Sequence, residues 1–268
     1  MSAQSLSNRT INERIRVIRQ FEAQALVFPL KSTPDDLIMW LASIKSETTR
    51  HTYYLILRAF FQWLTMAEVR RDNPVLKILP PKRPKYEPRP VTEAQVQAVL
   101  QLDLRPHTRT RILLGAFVGM RVHEIAKIQG QEFDPIEGQL RITGKGRKTN
   151  TVPLHPIIIE DLKQYPSRGY FFPARSGKLL HVGTHAIRTT ITDAFDRVGV
   201  SMTPHQLRHY FATALLSSGV DSRIVQKLMR HESLSTTAQY MGVSMTQQQE
   251  ALGKLDLEIF NKFQQDQS

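Results

Sequence analysis

Two histidines and an arginine stand close together in residues 203–210, TPHQLRHY, where a helix is predicted to begin. The opening Thr-Pro pair is typical of an N-cap followed by the first helical residue. His205, Arg208 and His209 are predicted to share one face of this helix, while the apolar side chains form its buried face. The N–H groups and the dipole at a helix N-terminus add to such cations, which favours an anion site. An ordinary polar surface explains this segment alone about equally well.

A metal site is the weaker interpretation of the same helix. His205 and His209 are four residues apart and could ligate one cation together. No third ligand accompanies them, the guanidinium of Arg208 would crowd a metal ion, and the chain contains no cysteine. The sequence therefore predicts no metal and no cofactor.

Further candidates for chemistry lie far apart in the sequence. Arg121 is predicted to open a short helix, with Glu124 three residues later in position to brace it, although such pairs are common on helices. His231 follows another predicted helix, and Tyr240 comes nine residues after it. Most tyrosines are amphipathic core residues, so Tyr240 alone does not indicate a nucleophile.

A basic, glycine-rich turn is predicted at residues 144–150, GKGRKTN. Alternating segments at 139–143 and 151–154 flank it, which predicts a β-hairpin. The turn lacks the spacing and the strand-to-helix setting of a Walker loop. Two glycines around Lys145 favour a mobile lysine delivered to a ligand, whereas a solvated turn is the plainer interpretation. The other cations of the turn are Arg147 and Lys148.

Helical patterns dominate the rest of the chain. A first helix is predicted from the apolar stripe Ile11, Ile15, Ile18 and Phe21. Further helices are predicted after residues 32–35 and at 47–64, 91–102, 109–118, 155–164, 182–198, 204–217, 221–230 and 246–263. The fold class is therefore mainly α with a small β-hairpin or sheet, that is, α+β. Residues 215–231, with Gly219 in a turn, also fit a helix-turn-helix, so a simple DNA-binding protein competes with an enzyme here.

Residues 81–90 are predicted to be a basic, proline-rich linker between a helical domain, 1–80, and a mixed domain, 91–268. Proline at this density forbids a helix and favours an extended, semi-rigid spacer. A solvated spacer would explain the composition, but the basic flanks favour a strap along a phosphate backbone. The candidate DNA-contacting residues here are Lys82, Arg83 and Lys85 of the linker and Arg50 of the helical domain.

The overall composition limits what the chain can be. Its 268 residues carry 36 Lys and Arg against 24 Asp and Glu, a net charge of +12, with 41% hydrophobic residues and no cysteine. This composition excludes collagen, a disordered tail protein and a disulfide-stapled mini-protein, and it excludes cysteine nucleophiles. The polar start and the lack of an apolar run of ~20 residues predict a cytoplasmic protein without a membrane span. The charge predicts a polyanionic partner, although a membrane surface or simple solubility would also account for it.

The order of these candidates resembles the catalytic domain of the tyrosine recombinases, the phage-integrase and Xer-type family of site-specific DNA recombinases. The matching stretches are GMRVHEIAKI, GKGRKTNTVPL, TPHQLRHYFAT and LMRHESLSTTAQYM, in that order over about 120 residues. A weaker resemblance covers the N-terminal helices, through TTRHTYYLILRAFFQWL, and implies a SAM-like core-binding domain. A tyrosine recombinase therefore becomes the expected function.

The resemblance implies how the DNA strand is cut. Tyr240 attacks a scissile phosphodiester and becomes a 3′-phosphotyrosyl link. Lys145, on the hairpin, protonates the leaving 5′-oxygen, and His205 assists proton transfer. A phosphotyrosine keeps the energy of the broken bond, so strands can be rejoined without ATP or metal.

The resemblance also implies how the phosphate is held. Arg121 and Arg208 clamp the non-bridging oxygens, His231 adds a hydrogen bond, and Glu124 braces the site from behind. Planar guanidinium forks match the spread negative charge of a transferring phosphoryl group. The sequence departs from the family at Arg230, where members usually have glycine directly before the histidine. Arg230 is expected either to add a DNA phosphate contact or to alter the turn.

The resemblance extends to assembly. It implies double-stranded DNA core sites as the partner and a homo-tetramer on two sites, with a Holliday junction as intermediate and possible directionality or accessory factors. The predicted last helix carries Leu252, Leu255, Ile259 and Phe263 on one stripe, which either packs on its own domain or, as favoured here, docks onto a neighbouring protomer. The expected setting is a bacterial cytoplasm, with a phage or mobile element as one source. A type IB topoisomerase-like enzyme and a non-catalytic DNA-binding regulator are the alternatives.

Overall fold

The computed structural model describes residues 6–82, 90–144, 149–174, 180–230 and 244–255. The chain divides into two compact units, Met1–Glu87 and Pro88–Ser268, each with its own hydrophobic core. Within the described ranges, no helix is both long and apolar enough to cross a membrane.

The first unit is helical. It contains α1 (Asn8–Ala25), α2 (Pro34–Ser43) and α3 (Glu47–Met66), with short 3-10 helices at Pro29–Lys31 and Pro74–Lys77. Each α-helix begins after a Ser or Thr whose side chain accepts a hydrogen bond from the N–H three residues later. In the core, the ring of Trp40 stacks on Tyr53 at 5.5 Å and meets the ring of Phe21 edge-on at 5.3 Å. These three rings join the three helices.

The face of α1 that packs into this core differs from the predicted apolar stripe. Val17 and Phe21 are fully buried, whereas Ile11, Ile15 and Ile18 are half-buried. The position of Phe21 against Trp40 brings Val17, one turn earlier on the same face, into the core. In α3, Tyr53, Leu57, Phe61 and Leu64 are buried in this core, whereas Phe60 is half-buried.

The second unit is built around one buried helix, α5 (Pro106–Phe117), in which every residue from Thr110 to Phe117 is buried. The other helices of this unit are α4 (Glu93–Leu100), α6 (Val122–Ile125), α7 (Pro156–Lys163), α8 (Thr184–Asp196), α9 (His205–Ser217), α10 (Ser222–Leu228) and α11 (Met245–Gly253). Helices α6, α7, α8 and α9 all contact α5. The end of α5 and the start of α6 are therefore fixed from several sides.

A three-stranded antiparallel sheet adjoins these helices, with strands β1 (Phe133–Asp134), β2 (Gln139–Thr143) and β3 (Thr149–Pro153) in that order. Leu140 pairs with Val152, and both side chains are buried. The predicted hairpin is confirmed, but β3 begins two residues earlier than expected. The hydroxyl groups of Thr143 and Thr149 lie 3.1 Å apart across the strands, which extends the pairing into the predicted turn.

The bounds of several helices also differ from the predictions. Helix α5 begins at Pro106 rather than at residue 109, since proline suits the first helical position. Helix α9 begins at His205 rather than at Pro204, and the predicted cap by the Thr203 side chain is absent; the N–H of Thr203 donates to Gln206 Oε1 at 2.7 Å. Helix α11 ends at Gly253, and Leu252 and Leu255 pack into the core of their own unit. The predicted stripe residues Ile259 and Phe263 lie outside the described residues.

Candidate active site

Arg208 lies on the buried side of α9, in contrast to the predicted shared face with the two histidines. It is 1% exposed, whereas His205 is exposed and His209 half-buried. Its Nη1 donates to the carbonyl of Gly119, and its Nη2 donates to the carbonyl of Met229. Burial of a guanidinium is tolerated only where such acceptors meet it, and the ends of α5 and α10 supply them. A guanidinium has five N–H donors, so Arg208 keeps donors for a further acceptor.

Gly119 provides a carbonyl that two arginines share. It has a left-handed backbone, φ +62°, just after the end of α5. Its carbonyl accepts from Arg208 Nη1 and, at 3.1 Å, from Arg230 Nη2. A Cβ at this position would lie 2.6 Å from the Phe211 ring. The sequence predicts a helix that ends at residue 118, but the role of the next residue, Gly119, as an acceptor depends on contacts across the fold.

Replacing Gly119 by Ala is expected to lower the free energy of unfolding by about 2–4 kcal/mol, through left-handed strain and overlap with Phe211. Gly199→Ala is the matched control, since Gly199 has φ +73° and open space around a Cβ. The control is expected to lose only about 1 kcal/mol. Chemical denaturation of both variants measures the difference, and equal losses would contradict the overlap.

Glu124 braces Arg121 at the start of α6, as the spacing predicts. The backbone N–H of Arg121 donates to Glu124 Oε2 at 2.8 Å, and its Nη1 donates to Oε1 at 3.0 Å. The side chain of Glu124 is 1% exposed, whereas that of Arg121 is 32% exposed. The carboxylate is therefore fixed inside the protein, while the guanidinium that it holds reaches the surface.

Arg230 is buried, whereas one of its two expected roles, a contact with a DNA phosphate, would place it at the surface. It follows α10 with φ +52°, a left-handed position that glycine normally occupies. Its Nη2 lies 3.1 Å from Glu124 Oε2, and its Nη1 donates to the carbonyl of Leu228 at 3.0 Å. The absence of glycine at a helix end is the one sequence signal for this residue, and its ion pair with Glu124 was not predicted.

The cluster carries excess positive charge, since one carboxylate faces the guanidinium groups of Arg121, Arg208 and Arg230. Burial, together with the charges of Arg121 and Arg230, lowers the pKa of Arg208 well below its ordinary value. Burial alone would raise the pKa of Glu124, but the arginines outweigh it and hold that pKa below its usual range. An anion bound here would neutralise charge that the protein leaves unbalanced, so the arrangement favours a phosphate.

The two histidines of α9 form a pair near its start. The ring centroids of His205 and His209 are 4.5 Å apart, with the rings nearly perpendicular. Burial and the charge of Arg208 lower the pKa of His209. The lower pKa favours the neutral form of His209. Among the residues that the structure describes, no three His, Cys, Asp or Glu side chains group as metal ligands.

Several predicted site residues lie outside the described residues. They are Lys145, Arg147, Lys148, His231, Tyr240, Arg83 and Lys85. Two described residues adjoin them: Gly144 precedes Lys145, and Arg230 precedes His231. Gly144 and Glu124 line one cavity of about 300 Å³. Gly144, at the base of the hairpin, and Glu124, in the arginine cluster, therefore face the same cavity.

The remaining DNA-contact candidates lie in the first unit. Lys82 is exposed. Arg50 is half-buried, and its Nε and Nη2 donate to the carbonyl of Ile44, at the end of α2, at 3.2 and 2.7 Å. Arg50 thus stabilises a helix C-terminus and keeps part of its surface for another contact.

Comparison with protein families identifies the second unit. The family described as "Phage integrase family" matches residues 89–247. Tyrosine recombinase XerD of Vibrio cholerae is 31% identical over 225 residues, which cover 76% of this chain and 74% of the relative. Tyrosine recombinase XerA of Pyrococcus furiosus is 28% identical and covers 91% of this chain and 88% of the relative. The similarity thus extends from the second unit into the first.

Solved structures show the same similarity. An integrase from mycobacterium phage Brujita is 43% identical, covers 96% of this chain and 89% of that chain, and superposes with a TM-score of 0.61. A lambda integrase dimer bound to a COC′ core site has a TM-score of 0.73 at 16% identity, and covers 91% of this chain and 94% of that chain. The second comparison concerns the fold alone.

Proposed function

The chain belongs to the phage integrase family of tyrosine recombinases and is a site-specific DNA recombinase, and we propose that it cuts and rejoins duplex core sites through a 3′-phosphotyrosyl intermediate on Tyr240. The observation that carries this mechanism is the cluster of Arg121, Glu124 and Arg208. It fixes two guanidinium groups beside one carboxylate and leaves positive charge unbalanced. Such a site suits a phosphodiester, because developing charge is met by donors already in place.

In the proposed reaction, the Tyr240 oxygen forms a bond to phosphorus while the bond from phosphorus to the 5′-oxygen breaks. Lys145 gives a proton to the leaving 5′-oxygen, and His205 assists proton transfer by accepting the proton that the Tyr240 hydroxyl loses. One phosphodiester replaces another, so the reverse reaction with a 5′-hydroxyl rejoins the strand without ATP. His231 donates a hydrogen bond to the phosphoryl group.

The described residues support the placement of Lys145. It follows Gly144, which shares a cavity wall with Glu124. This shared cavity supports the assignment of Lys145 to the same site as the arginine cluster.

The proposed DNA contacts outside the catalytic cluster are electrostatic. They come from Arg50, Lys82, Arg83 and Lys85 in the first unit and its linker, and from Arg147 and Lys148 on the hairpin. The first unit would serve as the core-binding domain. Binding should weaken steeply with salt, since each neutralised phosphate releases counterions.

We propose a homo-tetramer on two DNA sites as the active assembly. A lambda integrase tetramer bound to a Holliday junction has the same fold at 14% identity, with a TM-score of 0.70. Because Leu252 and Leu255 are buried in their own unit, docking in trans would use residues after 255. Accessory or directionality factors, a bacterial cytoplasm and a phage or mobile-element source remain predictions.

The test begins with DNA fragments from the source genome. DNA that stays attached to the full-length protein after denaturation in detergent is sequenced to identify the core site. Duplexes that carry this site are then incubated in pairs, and we expect both a covalent protein–DNA adduct and recombinant strands. Supercoil relaxation without recombinants would favour the topoisomerase-like alternative. Tight binding without any adduct would favour the non-catalytic regulator.

A further inference from the structure

Arg230 is held by more contacts than the end of a short helix requires. Its side chain is 4% exposed, and it contacts three parts of the chain: the turn after α5, Glu124 on α6, and the end of α10. Its left-handed backbone would suit glycine, so the fold itself does not require an arginine here. The side chain must therefore contribute something that the backbone does not.

Arg230 contacts the same groups that bind Arg121 and Arg208, the two arginines proposed to hold the scissile phosphate. Its Nη2 lies 3.1 Å from Glu124 Oε2, the oxygen that also accepts the backbone N–H of Arg121. The same Nη2 donates at 3.1 Å to the Gly119 carbonyl, which also accepts from Arg208. Arg230 thus touches one partner of Arg121 and one partner of Arg208, while it is itself shielded from solvent.

We propose that Arg230 is a positioning residue for strand cleavage, which keeps the Glu124 carboxylate and the Gly119 carbonyl in the orientation that aligns Arg121 and Arg208 on the scissile phosphate. This inference rests on the proposed function of the same site. It assigns Arg230 no contact with DNA. Arg230 also directly precedes the candidate residue His231 in the sequence.

The charges around Glu124 give this role a measurable signature. Glu124 interacts with Arg121 and Arg230, and its charge also acts on Arg208 of α9 and on His123 of α6. Among the contributions that lower the pKa of Glu124, the charge of Arg230 is the largest. Without Arg230, burial would raise that pKa. An ionised Glu124 is required to hold Arg121, so the acidic loss of activity would then begin at a higher pH.

The test compares cleavage of a nicked core-site duplex by the full-length protein and by Arg230→Gly across a range of pH. Glycine suits the left-handed backbone, so the variant is expected to fold, and its melting temperature checks this. We expect cleavage to slow by about 10- to 100-fold, as for a misplaced reacting group. We also expect the acidic limb of the rate profile to move to a higher pH. Arg230→Lys, which keeps the positive charge, should move the acidic limb part of the way back towards its wild-type pH.

Two further variants separate positioning from a simple structural role. In the background of Glu124→Gln, which cannot ionise, Arg230→Gly should no longer move the acidic limb, so the two substitutions should be non-additive. Leu26→Gly is the matched control for glycine at a left-handed helix end, since Leu26 has φ +54° and is 89% exposed; it should change neither rate nor profile.

The outcomes also distinguish this inference from the proposed function. If wild type forms the adduct and Arg230→Gly cleaves at the same rate with the same profile, the positioning role is wrong and the recombinase mechanism stands. A slower variant with an unchanged profile, and effects that add to those of Glu124→Gln, would also overturn the positioning role. Failure of wild type to form any adduct would instead contradict the proposed mechanism.

Discussion

Replacement of Tyr240 by Phe is expected to abolish covalent attachment to DNA while leaving the affinity for the core site within about twofold of wild type. The substitution removes one oxygen, and that oxygen is the atom proposed to bond to phosphorus. Since no other group supplies the bond, the loss should be complete rather than partial. The measurement pairs detergent-resistant adduct formation on a nicked duplex with a binding titration of the same duplex.

The control for this experiment is Tyr210→Phe. Tyr210 is a buried tyrosine of α9, 7% exposed, and burial raises its pKa to about 12, which makes it a poor nucleophile. Its substitution should leave adduct formation intact. An adduct that persists in Tyr240→Phe, or one that disappears only in Tyr210→Phe, would show that the nucleophile has been assigned to the wrong residue.

Replacement of Arg208 by Lys is expected to slow cleavage by about 10²–10³-fold, as when a donor to a developing oxyanion is removed. Lysine keeps the positive charge, but it presents a single ammonium group where Arg208 has a planar fork. That fork already donates to the carbonyls of Gly119 and Met229 while facing the cluster. An ammonium group cannot satisfy two separate carbonyls and also bind two phosphate oxygens. Single-turnover cleavage measured at saturating protein isolates this effect from DNA binding.

Arg111→Lys is the matched control, because Arg111 is another buried arginine of this unit but lies outside the cluster of Arg121, Arg208 and Arg230. It is 9% exposed, lies 4.7 Å from the centre of the Phe172 ring and donates to Thr190. Both variants are expected to lose stability by about 1–3 kcal/mol through unsatisfied buried groups. Only Arg208→Lys should lose cleavage beyond that. Equal loss of cleavage in the two variants would mean that Arg208 acts through stability alone.

The contact between Arg121 and Glu124 could be predicted because it is local. Both residues lie within one turn of the same short helix, and their spacing alone brings the side chains together. The hairpin could be predicted for a similar reason, since alternation around a glycine-rich turn is a local pattern. The extra length of β3 could not, because it depends on the pairing of Thr149 with Thr143.

The burial of Arg208 and Arg230 could not be predicted from local pattern. Hydrophobic periodicity assigns an arginine to the outer face of a helix, and only acceptors from distant segments reverse that assignment. For Arg208 the acceptors are residues 119 and 229, and for Arg230 they include residues 118, 119 and 124. The face of α1 that enters the core was likewise decided by Trp40, a residue of another helix.

The unbalanced charge around Arg208 has a consequence for how the protein behaves when it holds no DNA. Cations that outnumber the carboxylates around them oppose folding, so the fold and the ligand are thermodynamically linked. We therefore expect any small oxyanion that fits between the arginines to act as a partial substitute for substrate. Sulfate or phosphate in a buffer would then do two opposite things at once. It would protect the free protein from unfolding and compete with the DNA for the same place, so the conditions that best preserve this enzyme in storage are those in which it cuts least.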